Sequence, residues 1–110
     1  MQTSRFTRLA LPAGCVLLFA SGAPVAQASE ALANSNGCTG CHLAEARAVG
    51  PSFKEIAEKY ATDKAAAGKL AMSIKNGSTG KWGDTPMPAQ DQVSDADIKA
   101  LATWILKGGK

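Results

Sequence analysis

Residues 38–42 read Cys-Thr-Gly-Cys-His, and His42 is the single histidine of a 110-residue chain. Two thiols flanking two small residues, with an imidazole directly after, constrain the fold more than any other feature, because each reading of them demands a different surrounding. A Cys38–Cys41 disulfide would suit an exported protein, but it closes a tiny loop and leaves His42 without a purpose. Zinc needs four ligands, usually as two pairs well separated in sequence, and no second pair occurs. A redox dithiol belongs in a βαβ setting, which this chain lacks. Cys-x-x-Cys-His is also the signal for covalent haem attachment, and the spacing has a chemical reason. The thiols add across the two haem vinyl groups, one turn of backbone spans them, and the next residue points its imidazole at the iron from the same face. Thr39 and Gly40 are small enough to keep that turn close to the porphyrin. Cys38 and Cys41 are thus the expected attachment points of one haem c, and His42 the expected proximal ligand.

The chain opens MQTSRFTRLALPAGCVLLFASGAPVAQASE. Arg5 and Arg8 form a positive n-region, Leu9 to Ala20 an apolar run, and Ala26-Gln27-Ala28 a cleavage pattern, the order of a secretory signal peptide. The apolar run is interrupted by Pro12 and Gly14 and falls short of the ~20 residues of a spanning helix. Residues 1–28 are therefore expected to be a cleaved signal peptide and 29–110 the functional domain, placed in the periplasm. Cys15, in LPAGC, is too close to the start for a lipid attachment site and reads as a small hydrophobe in a discarded segment. Losing Arg5 and Arg8 removes two of the three net positive charges. The remaining charges are interspersed, so no basic block points to nucleic acid.

Nothing in residues 29–110 alternates like a strand; the pattern is helical. Ser94-Asp95-Ala96-Asp97 is a capping sequence, after which Ile98, Leu101, Ala102 and Ile105 make one apolar face. Lys107 and Gly108 supply the stop, and Trp104 and Leu106 flank the stripe, positioned for something wider than a neighbouring helix. Shorter helices are expected over Ser29–Ser35, over Phe53–Tyr60 behind a Ser52 cap, and over Ala65–Lys75, the last stopping at Asn76-Gly77. Gly77 to Gln92 is all turn chemistry, near the upper length of structureless loops in compact domains. That length implies a task. The loop holds Met87 between Pro86 and Pro88, an arrangement with no packing explanation. Met72, between Leu70 and Ile74, reads as an ordinary helix residue. With no second histidine in the chain, Met87 is the expected sixth ligand, and a Met/His pair raises the haem potential.

Together these blocks resemble the small bacterial class I cytochromes c: GCTGCH, VGPSFKEIAEKYA, IKNGSTGKWG, TPMP and LATWILKG stand in that family's order and spacing. The resemblance implies an all-α cytochrome c fold, with N- and C-terminal helices crossing and shorter helices and a methionine loop around one covalent haem. It casts Gly37 as the small residue that lets the terminal helices approach. It makes the Pro51 carbonyl the acceptor of the His42 Nδ1 proton, and Trp82 the partner of a haem propionate. Gln90 stands where relatives carry an amide able to donate to the methionine sulfur. Relatives often place a basic residue before Ile-Lys-Asn-Gly to hold the inner propionate; Ser73 stands there, so that charge is expected to be missing.

An iron with both axial positions filled by protein has no place for substrate. The expectation is therefore an electron carrier and not an enzyme. It would be a monomer that does not insert into the membrane once mature, shuttling between a quinol-oxidising complex and a terminal oxidase or nitrite-type reductase. Weak redox encounters use small interfaces. Lys54, Lys59, Lys64, Lys69, Lys75 and Lys81 would be their charged rim, and Val49, Pro51, Pro88 and Ala89 their apolar contact. Two alternatives are a haem enzyme or gas sensor with an open sixth position, and a fixed cytochrome subunit of a larger redox complex.

Overall fold

The computed structural model describes residues 25–110, with side chains from Ser29 onward, and before them Gly14, Phe19 and Ala20. Among the described residues there are four α-helices and one 3₁₀ turn. These are α1 Val25–Ser35, the 3₁₀ turn Cys38–Gly40, α2 Phe53–Lys59, α3 Ala66–Asn76 and α4 Asp95–Leu106. No strand occurs among them; Ser78 and Met87 form an isolated antiparallel bridge. The n-region with Arg5 and Arg8, and Cys15, lie outside the described residues. The boundary expected after Ala28 falls inside α1, which begins at Val25 and not at Ser29. Alanine and glutamine are good helix formers, so Ala26-Gln27-Ala28 continue the helix backwards. No helix among the described residues is long and apolar enough to cross a membrane.

The helix ends follow local chemistry. Ser52 accepts from the Glu55 amide at 3.0 Å while the Glu55 carboxylate accepts from the Ser52 amide at 2.8 Å. This reciprocal capping box satisfies two backbone donors at the start of α2. Ser94 caps α4 through the Asp97 amide, with Asp95 and Asp97 in the positive first turn. α3 runs one residue past Lys75 to Asn76 and ends at Gly77, with φ 76°. Gly37 ends the α1 region in the left-handed conformation, φ 75°. A Cβ there would meet nothing within 4 Å, so the backbone turn, not a close helix approach, is what requires glycine at this position.

α4 is the hub, packing on α1, α2 and α3. Its stripe is buried as the periodicity requires: Ile98, Leu101, Ala102 and Ile105 join Ala33 of α1, Phe53 and Ile56 of α2, Leu70 and Ile74 of α3, and Val93. Trp104, on the flank of that stripe, is 4 % exposed and meets the Phe53 ring edge-on at 4.9 Å.

Candidate functional site

The Cys38–His42 segment is coiled tightly after Gly37. The Cys41 and His42 amides both donate to the Cys38 carbonyl, at 3.2 and 2.9 Å. Cys38 and Cys41 are free thiols, the first half-buried and the second exposed, and burial pushes the Cys38 thiol up from its ordinary value. Among the described residues no three His, Cys, Asp or Glu side chains converge as a metal site. Neither a disulfide nor a protein-built zinc centre is assembled here.

His42 is held from three sides. Its Nδ1 lies 2.7 Å from the Pro51 carbonyl oxygen. A carbonyl only accepts, so Nδ1 carries the proton and Nε2 keeps a lone pair. The Phe53 ring stacks on the imidazole at 5.7 Å, with the planes 26° apart. Gly50 lies against the ring so closely that a Cβ would come 2.7 Å from Cε1. The loop that returns the chain to this position is tied down by the Gly50 amide on the Cys41 carbonyl. The Phe53 and Lys54 amides bind the Leu43 and Ala44 carbonyls. The expected Pro51 contact is therefore present as geometry.

Beside His42 opens a cavity of ≈ 270 Å³. Core side chains form much of its wall, among them Ile56, Leu70, Ile74, Leu101 and Ile105; both thiols, His42, Trp82 and Met87 reach it as well. An apolar cavity bordered by two thiols and an imidazole with a free Nε2 is the donor set and surface that a covalently attached, iron-bearing macrocycle needs. The residues fit that group. Met87 is anchored by paired backbone bonds with Ser78, at 2.8 and 3.0 Å. Gly77 lets them form, since a Cβ there would lie 2.5 Å from the Met87 carbonyl oxygen. Met72 is 65 % exposed and does not border the cavity.

Other residues differ from the sequence expectation. The Gln90 side-chain amide donates to the Pro88 carbonyl at 3.0 Å, not to the Met87 sulfur. Ser73 is not uncharged territory: the Lys81 ammonium donates to its hydroxyl at 3.0 Å, and both residues border the cavity. A cation thus reaches the Ser73 side of the cavity from position 81. Arg47 had no sequence signal, because its partners are Glu55 and, 35 positions on, the Trp82 carbonyl. Two cations lie over the Trp82 ring, with Lys59 Nζ 4.2 Å and Arg47 Cζ 5.9 Å from its centroid.

Known proteins place the chain in a family. Residues 26–108 match the family described as Cytochrome c. The chain is 56 % identical over 81 residues to cytochrome c-552 of Nitrosomonas europaea, covering 74 % of this chain and 79 % of that protein. It is 50 % identical over 84 residues to cytochrome c-551 of Allochromatium vinosum, covering 76 % and 89 %. The crystal structure of wild-type Nitrosomonas europaea cytochrome c552 superposes with a TM-score of 0.70 at 54 % identity, over 71 % of this chain and 96 % of that one.

Proposed function

Because this chain belongs to the cytochrome c family, with its all-α fold and one covalently bound c-type haem, we propose that it works as a periplasmic one-electron shuttle with His42 and Met87 as axial ligands. Members named cytochrome c-551 and c-552 are electron carriers rather than enzymes. The haem supplies a reversible ferric/ferrous couple when bound. Cys38 and Cys41 would hold it through two thioethers, each the addition product of an S–H and a vinyl group. His42 offers Nε2, and its Nδ1–H bond to Pro51 fixes the ring orientation and raises ligand basicity. Met87 would offer a neutral thioether from the loop; with His42 and Met87 both holding the iron, the chemistry the haem would supply is outer-sphere electron transfer.

The apolar wall of Ile56, Leu70, Ile74, Leu101 and Ile105 disfavours the extra positive charge of the ferric state, and methionine ligation acts in the same direction. Trp82, with Lys81 and Ser73 nearby, forms the polar end suited to the propionates. Export to the periplasm is supported by the Ala26-Gln27-Ala28 pattern behind an apolar run, and there the partners are a quinol-oxidising donor and a terminal oxidase or nitrite-type reductase. The observation that carries the reading is the 2.7 Å bond from His42 Nδ1 to Pro51, which leaves Nε2 as the free nitrogen beside the apolar cavity that Met87 also borders.

The test is the visible spectrum of the purified protein in both oxidation states, with and without carbon monoxide, beside Met87→Ala and Met72→Ala. A low-spin haem with the weak far-red methionine–ferric band, insensitive to carbon monoxide, is expected in wild type and Met72→Ala and lost in Met87→Ala. A high-spin spectrum, or ready carbon monoxide binding by wild type, would overturn the ligation and point to an enzyme or sensor.

A further inference from the structure

The segment from Gly77 to Gln92, which carries Met87, is bonded largely to itself and to α3. Ser78 pairs with Met87, the Gln90 amide reaches the Ile74 carbonyl at 2.9 Å, and Lys81 reaches Ser73. Among the described residues only two hydrogen bonds join it to the 38–60 half of the chain that carries His42. Arg47 Nη1 donates to the Trp82 carbonyl at 3.3 Å, and Lys59 Nζ donates to the Lys81 carbonyl at 3.1 Å. These are consecutive carbonyls, and both cations also face the Trp82 ring. Each cation is anchored on α2. Arg47 is held by Glu55 at 3.0 Å in the first turn, within the capping box, and Lys59 is the last helical residue.

We infer that Arg47 and Lys59 are positioning residues, a two-point clamp that holds the Met87 segment against the His42 half and so sets how readily the Met87 sulfur leaves its ligand position. The role rests on the His42/Met87 ligation proposed above. The Ser78–Met87 bridge ties the segment only to itself, so among the described residues the 3.3 and 3.1 Å bonds are the polar contacts that fix the segment against the 38–60 half, beside the apolar packing of Trp82 and Met87 on the core. Both cations are exposed, so each contact is individually modest; surface charge pairs and cation–π contacts of this kind change an equilibrium by about two- to five-fold. Acting on one ring and adjacent carbonyls, they hold the loop at a single place.

The experiment mixes the ferric, haem-loaded protein with saturating imidazole and reads the limiting rate, which reports sulfur dissociation. Arg47→Gln and Lys59→Met are each expected to raise that rate about two- to five-fold, while Lys59→Arg, which keeps a cation and a donor, stays near wild type. Lys75→Met is the control, since the 2.6 Å Lys75–Asp95 pair ties α3 to α4 and does not touch the loop. It lowers the melting temperature as a surface pair would and leaves the imidazole rate unchanged. Equal rates in all variants, or a rise in Lys75→Met as large as in the clamp variants, would overturn the clamp. A wild-type protein with no methionine–ferric band and no slow step before imidazole binding would instead overturn the ligation itself, and the clamp role with it.

Discussion

Gly50→Ala tests the proximal side most directly, because the space it needs is occupied by the imidazole. A Cβ at Gly50 would lie 2.7 Å from His42 Cε1, 3.0 Å from Nδ1 and 3.4 Å from Nε2. The ring would have to retreat by about 0.7 Å, since ordinary contact begins at 3.4 Å. It has little freedom to do so, being bonded through Nδ1 to Pro51 at 2.7 Å and stacked on Phe53. Forcing extra volume into a packed site costs about 1–3 kcal/mol, and losing or stretching the Nδ1–carbonyl bond adds about 1 kcal/mol. A total of about 2–4 kcal/mol, at about 4–8 °C per kcal/mol for a domain of this size, lowers the melting temperature by at least about 8 °C. Weakening that bond also makes the imidazole a poorer donor to ferric iron, so the reduction potential rises. Thermal unfolding followed in the Soret band, with voltammetry on the same sample, reads both effects. A variant that melts within about 2 °C of wild type at unchanged potential would refute the reasoning, since the ring could then not lie where it is described.

Two further substitutions probe the loop and the α2 cap. Gly77→Ala forces an L residue to φ 76° and brings its Cβ to 2.5 Å from the Met87 carbonyl oxygen; the expected cost exceeds about 1 kcal/mol and the far-red ferric band weakens at neutral pH, an outcome that an unaltered band would contradict. Glu55 has its carboxyl held below the usual range by the Ser52 amide first and then by Arg47, so the stability it contributes is present above the unfolded pKa of about 4.3 and is lost as pH falls through the lower folded value. Glu55→Gln should flatten the stability–pH curve in that acid window, and an identical curve in denaturant titrations from pH 7 to 3 would show that the carboxylate does not contribute.

What could be read in the sequence was whatever local chemistry determines. The Ser52 and Ser94 caps, the α4 stripe and the stop at Gly108 are short-range patterns, and the helices formed there to within a residue or two. That His42, Pro51 and Met87 border one cavity was anticipated on three different grounds: the Cys-x-x-Cys-His spacing, the family resemblance, and a methionine set between two prolines. The start of α1 was misjudged because a cleavage pattern of small residues is also good helix sequence. Gly37 was assigned the wrong reason, since the sequence shows a small residue but not the sign of φ. Arg47 and the Lys81–Ser73 contact left no trace, because pairing across 35 or eight positions depends on how a loop is laid against another loop or, for Ser73, against α3. No periodicity encodes that.

The same limit explains why the Cys38–His42 motif was more informative than any helix. Phe53, Ile56, Leu70, Ile74, Leu101 and Ile105 are at once the hydrophobic core and part of the cavity wall, so packing the helices and burying the haem draw on one apolar surface. In a domain this small, near the size where a core alone is marginal, those two processes stabilise each other. Phe53 shows the coupling in one side chain. It opens α2 behind the capping box, meets Trp104 of α4 at 4.9 Å, and stacks on His42 at 5.7 Å. The orientation of the proximal imidazole is thereby referred through one ring to the central helix. A truncation at Phe53 should therefore disturb the iron's ligand field and the stability of the fold together, whereas a truncation at Ile98, which is buried in the core but does not border the cavity, should lower stability alone.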